Sequence, residues 1–330
     1  MAAEAAFDVV VPSYNRAAML PETLDAILAQ QPPPRAVIVV DDGSTDGTGT
    51  MLAARYPGRV RVLPVVNGGD LVARNAGLAL TTAPLVAFCD SDDVWQPGFL
   101  AAMAALWLAE PRTKLAFSDF LILRAGVAEA ATKFGTAPPG FWDGLRQVAA
   151  GCAVFDTPIV PRVIGFQPFF PSCLVADRAF LQGIGGWDAS VGRVVGTDFA
   201  TLLLLAEHAP FGVVRAPLVH IRKHEGNHSG DVQAMNLGDA TILEHVLARR
   251  PSLTPHAALI ANSVARRRAE ALDIAFARHD FAAVRTIFPL LPPGWAGRKA
   301  RLKSRISAWP TPLRTAVAGA LLAWGSLRRG

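Results

Sequence analysis

Leu85-Val86-Ala87-Phe88-Cys89-Asp90-Ser91-Asp92-Asp93-Val94-Trp95 joins a continuous apolar run to three acidic side chains within four positions. The run reads as a buried strand, and the acids fall at its carboxyl end. Carboxylates this close repel and raise one another's pKa, so the cluster costs stability unless a cation sits among them. Hard carboxylate oxygens suit Mg²⁺ or Mn²⁺, and Mg²⁺ sites commonly combine one or two carboxylates with substrate phosphates. The segment points to a metal-bound phosphate ester; the competing reading is an acidic turn that caps the following helix.

The same pattern, an apolar strand followed by a polar turn, occurs twice upstream. Val9-Val10-Val11 runs into Pro12-Ser13-Tyr14-Asn15-Arg16, with an amphipathic helix expected over 20–30. Ala36-Val37-Ile38-Val39-Val40 ends in Asp41-Asp42-Gly43-Ser44-Thr45-Asp46-Gly47, rich in capping residues, before a helix at 48–55. A third strand at 60–66, a helix at 72–80 and a fourth strand at 85–89 complete the alternation. Continuous apolar strands alternating with helices predict an α/β fold whose parallel sheet is covered on both faces. Ligands of such sheets bind beyond the carboxyl ends of the strands, where each polar cluster falls. Neither the glycine-rich dinucleotide fingerprint nor a phosphate loop ending in Gly-Lys-Ser/Thr follows the first strand, which excludes those two classes. Residues 126–171, rich in Pro, Gly and aromatics, are expected to form long loops over the sheet and to contact substrate. From Val232 the pattern is helical, over 240–249 and 256–279.

Composition sets the frame. The 330 residues are 51% hydrophobic, enough for a full core. Of 32 basic and 27 acidic residues, 281–330 hold nine basic and no acidic one, leaving 23 against 27 in the first 280. A basic appendage on a mildly acidic body suggests a polyanion or an anionic membrane surface as partner. No nucleic-acid-binding motif is visible, and Trp295, Trp309 and Trp324 sit among aliphatics as in interfacial segments. Cys89, Cys152 and Cys173 are odd in number and widely spaced, as expected of free thiols in a reducing compartment. The N-terminus shows no signal-peptide pattern, so residence in the cytosol is expected, with peripheral attachment to the inner face of the membrane. The apolar stretch 315–327 is shorter than the ~20 residues of a spanning helix. Trp309, Leu321, Leu322 and Trp324 are the expected anchors, and a packed helix pair is the alternative.

Taken as an ordered set, several motifs carry a resemblance. They are Val11-Pro-Ser-Tyr-Asn-Arg16, Val40-Asp-Asp-Gly-Ser-Thr-Asp46, Asn67-Gly-Gly69 with Ala73-Arg-Asn-Ala-Gly77, and Asp90-Ser-Asp-Asp-Val-Trp95. Gly185-Gly-Trp-Asp188, Thr197-Asp-Phe199 and His224-Glu-Gly-Asn-His-Ser229 follow. Over roughly residues 7–230 the chain resembles a family 2 glycosyltransferase of the GT-A fold, the nucleotide-diphospho-sugar transferase architecture. The resemblance implies a Rossmann-like, mostly parallel central sheet flanked by helices. It implies a transferase domain over 1–230, with a nucleotide-sugar-binding half at 1–115 and an acceptor-binding half at 116–230. Residues 231–330 would be a helical C-terminal extension.

The resemblance also implies roles. Tyr14 and Asp42 would hold the nucleotide base, Pro12 and Arg16 would shape that end of the pocket, and Arg74 would reach the base and phosphates or else make a helix-surface salt bridge. Asp41 stabilises the turn in one reading, and Asn75 caps it. Asp90 and Asp92 match the family's DXD carboxylates, with Ser91 between them on the donor and Asp93 adjacent. Asp92 or Asp93 would touch Mn²⁺ or Mg²⁺, and another of the three would bind the ribose. His224 would be a metal or phosphate contact, or would close its loop. A site built from His220, His224 and His228 is discounted. Asp198 would be the general base of an inverting displacement, or the cap of its helix. Thr197 departs from the family, which carries an acidic residue there. Trp187 and Asp188 would lie on the acceptor side, with Trp187 stacking on a sugar or buried in the core. The implied activity is metal-dependent transfer of a sugar, favoured to be UDP-linked, to a hydroxyl of a glycan or lipid-linked saccharide in polysaccharide or cell-envelope synthesis. The alternative is a non-catalytic nucleotide- or glycan-binding scaffold.

Overall fold

A computed structural model describes residues 5–224 and 230–327, with side chains to residue 321. The chain divides into two compact units, Met1–Gly192 with Asp198–Gly226, and Arg193–Thr197 with Asn227–Gly330.

The first unit opens with β1 (Phe7–Ser13), α1 (Leu20–Leu28), β2 (Ala36–Asp41), α2 (Thr48–Arg55), β3 (Arg61–Pro64), α3 (Asp70–Leu78) and β4 (Leu85–Phe88). Every residue of β1 and β4 is buried, as continuous apolar strands between helical layers require. There follow β5 (Val94–Trp95), α4 (Phe99–Ala109), β6 (Leu115–Arg124), β7 (Val127–Ala128), β8 (Arg146–Ala149) and β9 (Cys152–Phe155). The unit closes with α5 (Val160–Gly165), β10 (Leu174–Asp177), α6 (Arg178–Gly183), α7 (Asp198–Leu205) and β11 (Phe211–Lys223).

The sheet order is β3-β2-β1-β4-β10-β6-β11-β9-β8, with β5 added to β11 and β7 to β6. The β3-β2-β1-β4 block is parallel, as is the β6/β11 pair; along this path β10 and β9 run against the rest. The result is the mostly parallel sheet expected from the strand–helix alternation.

Two features of the sheet position the site. Helix α3 lies against β1 and β2 at Gly77, where a Cβ would collide with Val10 and come within 3.1 Å of Val40. That close approach holds Arg74, one turn earlier, beside the end of β4. In β11 the register with β6 shifts between Val214 and Pro217 and again between Pro217 and Val219. The irregularity lets residues 219–220 pair with β5, directly after the acidic turn.

Some boundaries differ from the sequence reading. The third strand is confined to 61–64, and α3 begins at Asp70 rather than Val72, because Gly69 (φ 91°) turns the chain and Asp70 complements the helix N-terminus. Residues 126–171 are not simply loops. They supply β8 and β9 to the sheet and an aromatic cluster in which Phe134, Phe141, Trp142 and Phe169 pack on one another and on Phe211. Burial of that much aromatic surface orders the segment.

The second unit is helical: α8 (Val232–Arg249), α9 (Ala257–Ala277), α10 (Phe281–Ile287), α11 (Arg298–Ser307) and α12 (Thr311–Leu327). Leu272, Phe276, Phe281, Val284, Ile287, Ile306 and Ala318 form its core, with Val317 and Leu321 packed against them. Leu321, expected among the membrane anchors, is therefore spent on the core; the side chains of Leu322 and Trp324 lie outside the described residues. No described helix is long and apolar enough to cross a membrane.

Candidate functional site

β1 lies between its parallel partners β2 and β4, so the turns that follow these three strands meet at one edge. The first two are laced together. Asn15, at φ 52°, donates its amide to Ser44 Oγ (2.9 Å) and accepts from the Thr45 amide at Oδ1 (2.8 Å). The Arg16 amide donates to Thr48 Oγ1 (3.2 Å), and the Ala17 amide to Asp46 (2.9 Å). Asp41 accepts from the Ser44 amide (3.0 Å), so it does stabilise its turn. Asp42 is buried and accepts from the amides of Gly68 (2.8 Å) and Gly69 (2.9 Å), which ties the loop after β3 to the same edge. Each of its oxygens retains a second lone pair. Tyr14 is 48% exposed beside this frame, whereas Pro12 is buried inside β1 in register with Val40.

The acidic turn is held from three sides. Ser172, fully buried just before β10, accepts from the Asp90 amide (2.9 Å) and donates to an Asp93 oxygen; its carbonyl accepts from Trp95 Nε1 (2.8 Å). The Arg222 amide donates to the other Asp93 oxygen (3.1 Å), and its guanidinium bonds the Asp92 carbonyl and Glu22 of α1. Thr23, also on α1, donates to the Ser91 carbonyl (3.1 Å). Burial, reinforced by Asp92 and Asp90, pushes the Asp93 carboxyl well above its ordinary value despite these bonds. Asp93, one of the two acids expected at the metal, is thus an internal strut of the turn, each of its oxygens already accepting a hydrogen bond. Ser91 is buried as well, its carbonyl already engaged.

Asp92 Oδ2 faces His224 Nε2 at 3.1 Å and the Arg16 guanidinium at 3.5 Å. Arg16 therefore stands at the acidic turn rather than only at the base end of the pocket. Arg74 is 3% exposed. Its two amino groups bond Asp70 and Asp90, each at 2.6 Å, and the guanidinium lies 4.7 Å from the Trp187 ring centre. Burial opposes its charge, but Asp90, Asp70 and Asp198 outweigh it and hold Arg74 protonated. Asp198, the first residue of α7, is thereby within electrostatic reach of the guanidinium–carboxylate cluster.

Trp187 does not offer a face for stacking on a sugar. It is 3% exposed, edge-on to Phe88 (5.0 Å) and covered by Arg74, and Asn75 clamps its backbone through bonds of 2.8 and 2.7 Å. Asn75 is thus a tie between α3 and this loop rather than only a cap. Asp188 accepts from the Ser190 amide (3.1 Å) and hydroxyl (2.6 Å), at the half-buried lip of the loop. His220 lies in β11 against Gln96 (3.0 Å), away from His224, and His228 lies outside the described residues.

As a donor set for a divalent cation, the Asp92 carboxylate and the His224 imidazole converge, and both suit Mn²⁺. Among the described residues no three His, Cys, Asp or Glu side chains close a cage. The arrangement fits a cation shared with phosphate oxygens, the coordination such ions adopt when few protein ligands are provided.

Sequence reasoning missed Ser172, Arg222 and Asp70. Ser172 carries no motif; Arg222 was signalled only by its charge within an apolar strand two residues before His224.

A mostly parallel sheet bearing an acidic turn at the end of its fourth strand, with further strands extending it past β10, defines the GT-A architecture. Solved structures agree. The Staphylococcus aureus protein TarS in complex with UDP-GlcNAc superimposes with a TM-score of 0.56 at 19% identity, over 92% of this chain and 89% of that one. A mannosyltransferase from Pyrobaculum calidifontis in complex with GDP-Man and Mn²⁺ gives 0.50 at 20%, over 97% and 87%. Residues 8–116 match the model of glycosyl transferase family 2. A Nostoc glycosyltransferase, alr2836, is 38% identical over 92 residues, 27% of this chain and 29% of its own length. TuaG of Bacillus subtilis, named for teichuronic acid biosynthesis, is 32% identical over 149 residues, 44% of this chain and 58% of its own length. The matched stretches are thus well short of those relatives' full lengths. Over residues 8–116 the chain is similar to the family 2 glycosyltransferases.

Proposed function

We propose that the protein transfers a sugar from a nucleotide-diphospho-sugar, UDP-linked in the favoured case, to a hydroxyl of a glycan or lipid-linked saccharide, with inversion at the anomeric carbon. The observation that carries this reading is the convergence of Asp90, Asp92, Arg74 and Asp198 at the strand ends, beside the Tyr14/Asp42 edge. Residues 1–115 form the donor half, 116–230 the acceptor half and 231–330 a helical extension. UDP-GlcNAc in TarS supports the choice of nucleotide, and Mn²⁺ in the mannosyltransferase supports the choice of cation. TuaG's name supports a setting in envelope polysaccharide synthesis.

Tyr14 lies against the base, and Asp42 accepts from its N–H with the lone pairs that Gly68 and Gly69 leave. Arg74 fixes Asp90 toward the ribose, acting as a positioning residue because both of its amino groups are already engaged. Asp92 and His224 would hold Mn²⁺ or Mg²⁺. A bound divalent cation would supply charge neutralisation to the departing diphosphate. Asp198 accepts the proton of the acceptor hydroxyl as that oxygen attacks the anomeric carbon and the bond to the diphosphate breaks on the opposite face. Asp188 sits at the acceptor lip.

The test is thermal stabilisation by UDP and GDP, each with and without Mn²⁺. A ligand at a hundred times its Kd adds about 2.7 kcal/mol to the stability of the folded state. The expected result is a Mn²⁺-dependent upward shift with UDP that Asp92→Ala abolishes. No shift with either nucleotide overturns the reading.

A further inference from the structure

Several basic residues of the helical unit are held in ion pairs. Arg266 meets Glu270 (3.0 Å), Arg268 meets Glu244 (2.7 Å), Arg278 meets Asp231 (2.7 Å), Lys303 meets Asp273 (2.7 Å), and Arg267 meets Asp239. On α11 only Lys303 has such a partner among the described residues. Arg298, Lys299, Arg301 and Arg305 are exposed, and among the described residues no ion pair reaches them. The sequence explains this, because 281–330 contain no acidic residue.

Arg298, Leu302 and Arg305 follow one another at helical spacing, and Trp309 continues the stripe just past the helix end. The opposite side of α11 is spent on the core through Ile306 and Ala300. The outward stripe also carries apolar groups, Leu302 at 46% and Trp309 at 42% exposed, and Leu313 in the first turn of α12 is 57% exposed. Unpaired arginines interleaved with exposed Leu302 and Trp309 differ from an ordinary solvated face, which carries charges of both signs and isolated apolar groups.

We propose that the outward stripe of α11, with Trp309 and Leu313, is an attachment surface for an anionic lipid bilayer. The guanidinium forks suit headgroup phosphates, the amphipathic Trp309 suits the interfacial depth, and Leu302 and Leu313 enter the acyl boundary. A nucleic acid would satisfy the arginines but leave the two leucines in water. The surface keeps Trp309 from the anchors expected from sequence but not Leu321, which packs with Val317 and Ala318 in the core. The proposal is independent of the transferase reading, and nucleotide binding neither supports nor weakens it.

The experiment is co-sedimentation of the full chain with phosphatidylcholine vesicles, pure or containing about one third phosphatidylglycerol, at low and high salt. Binding is expected to the anionic vesicles alone and to weaken with salt. Arg301→Glu/Arg305→Glu should lower partitioning by more than about tenfold, since each basic residue near such a surface contributes about fivefold. Trp309→Ala/Leu313→Ser should lower it as well. All four positions are solvent-exposed, and unchanged circular dichroism confirms that the variants fold. The proposal is overturned by absence of binding to anionic vesicles, or by equal binding to pure phosphatidylcholine. Full binding by either double variant, or a Trp309→Ala/Leu313→Ser variant that loses nothing while short duplex DNA displaces the vesicles, also overturns it.

Discussion

Asp198 and Ser172 show the two ways one side chain matters here. Asp198 starts α7 and acts on Arg74 across the cluster. If it removes the acceptor proton, Asp198→Asn keeps size and hydrogen-bonding reach but loses basicity. We expect kcat to fall by ~10²–10⁴-fold while donor affinity, read by calorimetric titration, stays nearly unchanged. Ser172 touches no substrate in the proposed mechanism, yet it joins the Asp90 amide to the Asp93 carboxylate in a fully buried place. Ser172→Ala leaves both without that partner, so urea unfolding should report a loss of about 1–3 kcal/mol. The acids were legible in the sequence because charge after an apolar strand is a local signal. Ser172 was not, because its partners lie 82 and 79 positions away and only the β4/β10 pairing brings them together.

At the scale of elements, α1 and α2 are pinned by a polar contact at the margin of the helical layer. The Tyr56 hydroxyl, at the end of α2, donates to Asp25 (2.9 Å) and lies 3.0 Å from the Pro21 carbonyl, both on α1. Burial, and then the bond to Asp25, push that hydroxyl up to about 12 from an ordinary 10.0. The folded state thus holds its proton more tightly than the unfolded chain. The stabilisation is fully present below pH 10 and is lost as pH rises through about 12. The chain has two tyrosines, so Tyr14→Phe isolates the signal. Absorbance at alkaline pH in that variant should step near 12 while the fold persists. The strands β1, β2 and β4 and helix α2 were readable from apolar runs and capping turns. Residues 146–155 were not, because short strands at a sheet edge carry little periodicity and are ordered by the aromatic cluster packed against them.

At the scale of the whole molecule, the chain builds two cores of different kinds, a sheet covered by helices and a helical assembly. Helix α12 belongs to the second: Ala318 is fully buried among residues of α9, α10 and α11. Placing a carboxylate there buries an unpaired charge, so Ala318→Asp should destabilise the helical unit by about 3 kcal/mol or more, visible as an early transition in calorimetry. A helix lying only on a lipid surface would tolerate the change, which makes this the discriminating substitution for how the C-terminal segment is used.

The sequence by itself determined the fold class, the strand ends where the site lies, the acidic turn and the uneven charge of the C-terminal fifty residues. Each of these is written in contiguous residues, through periodicity, composition or spacing. Only the tertiary structure decided that Asp93 and Arg74 are buried in partnerships, that Trp187 is core rather than platform, that Arg16 reaches Asp92, and that α11 presents an exposed basic face. Those outcomes depend on which side of each element is turned inward. Packing between residues far apart in the chain settles that, and no local pattern encodes it.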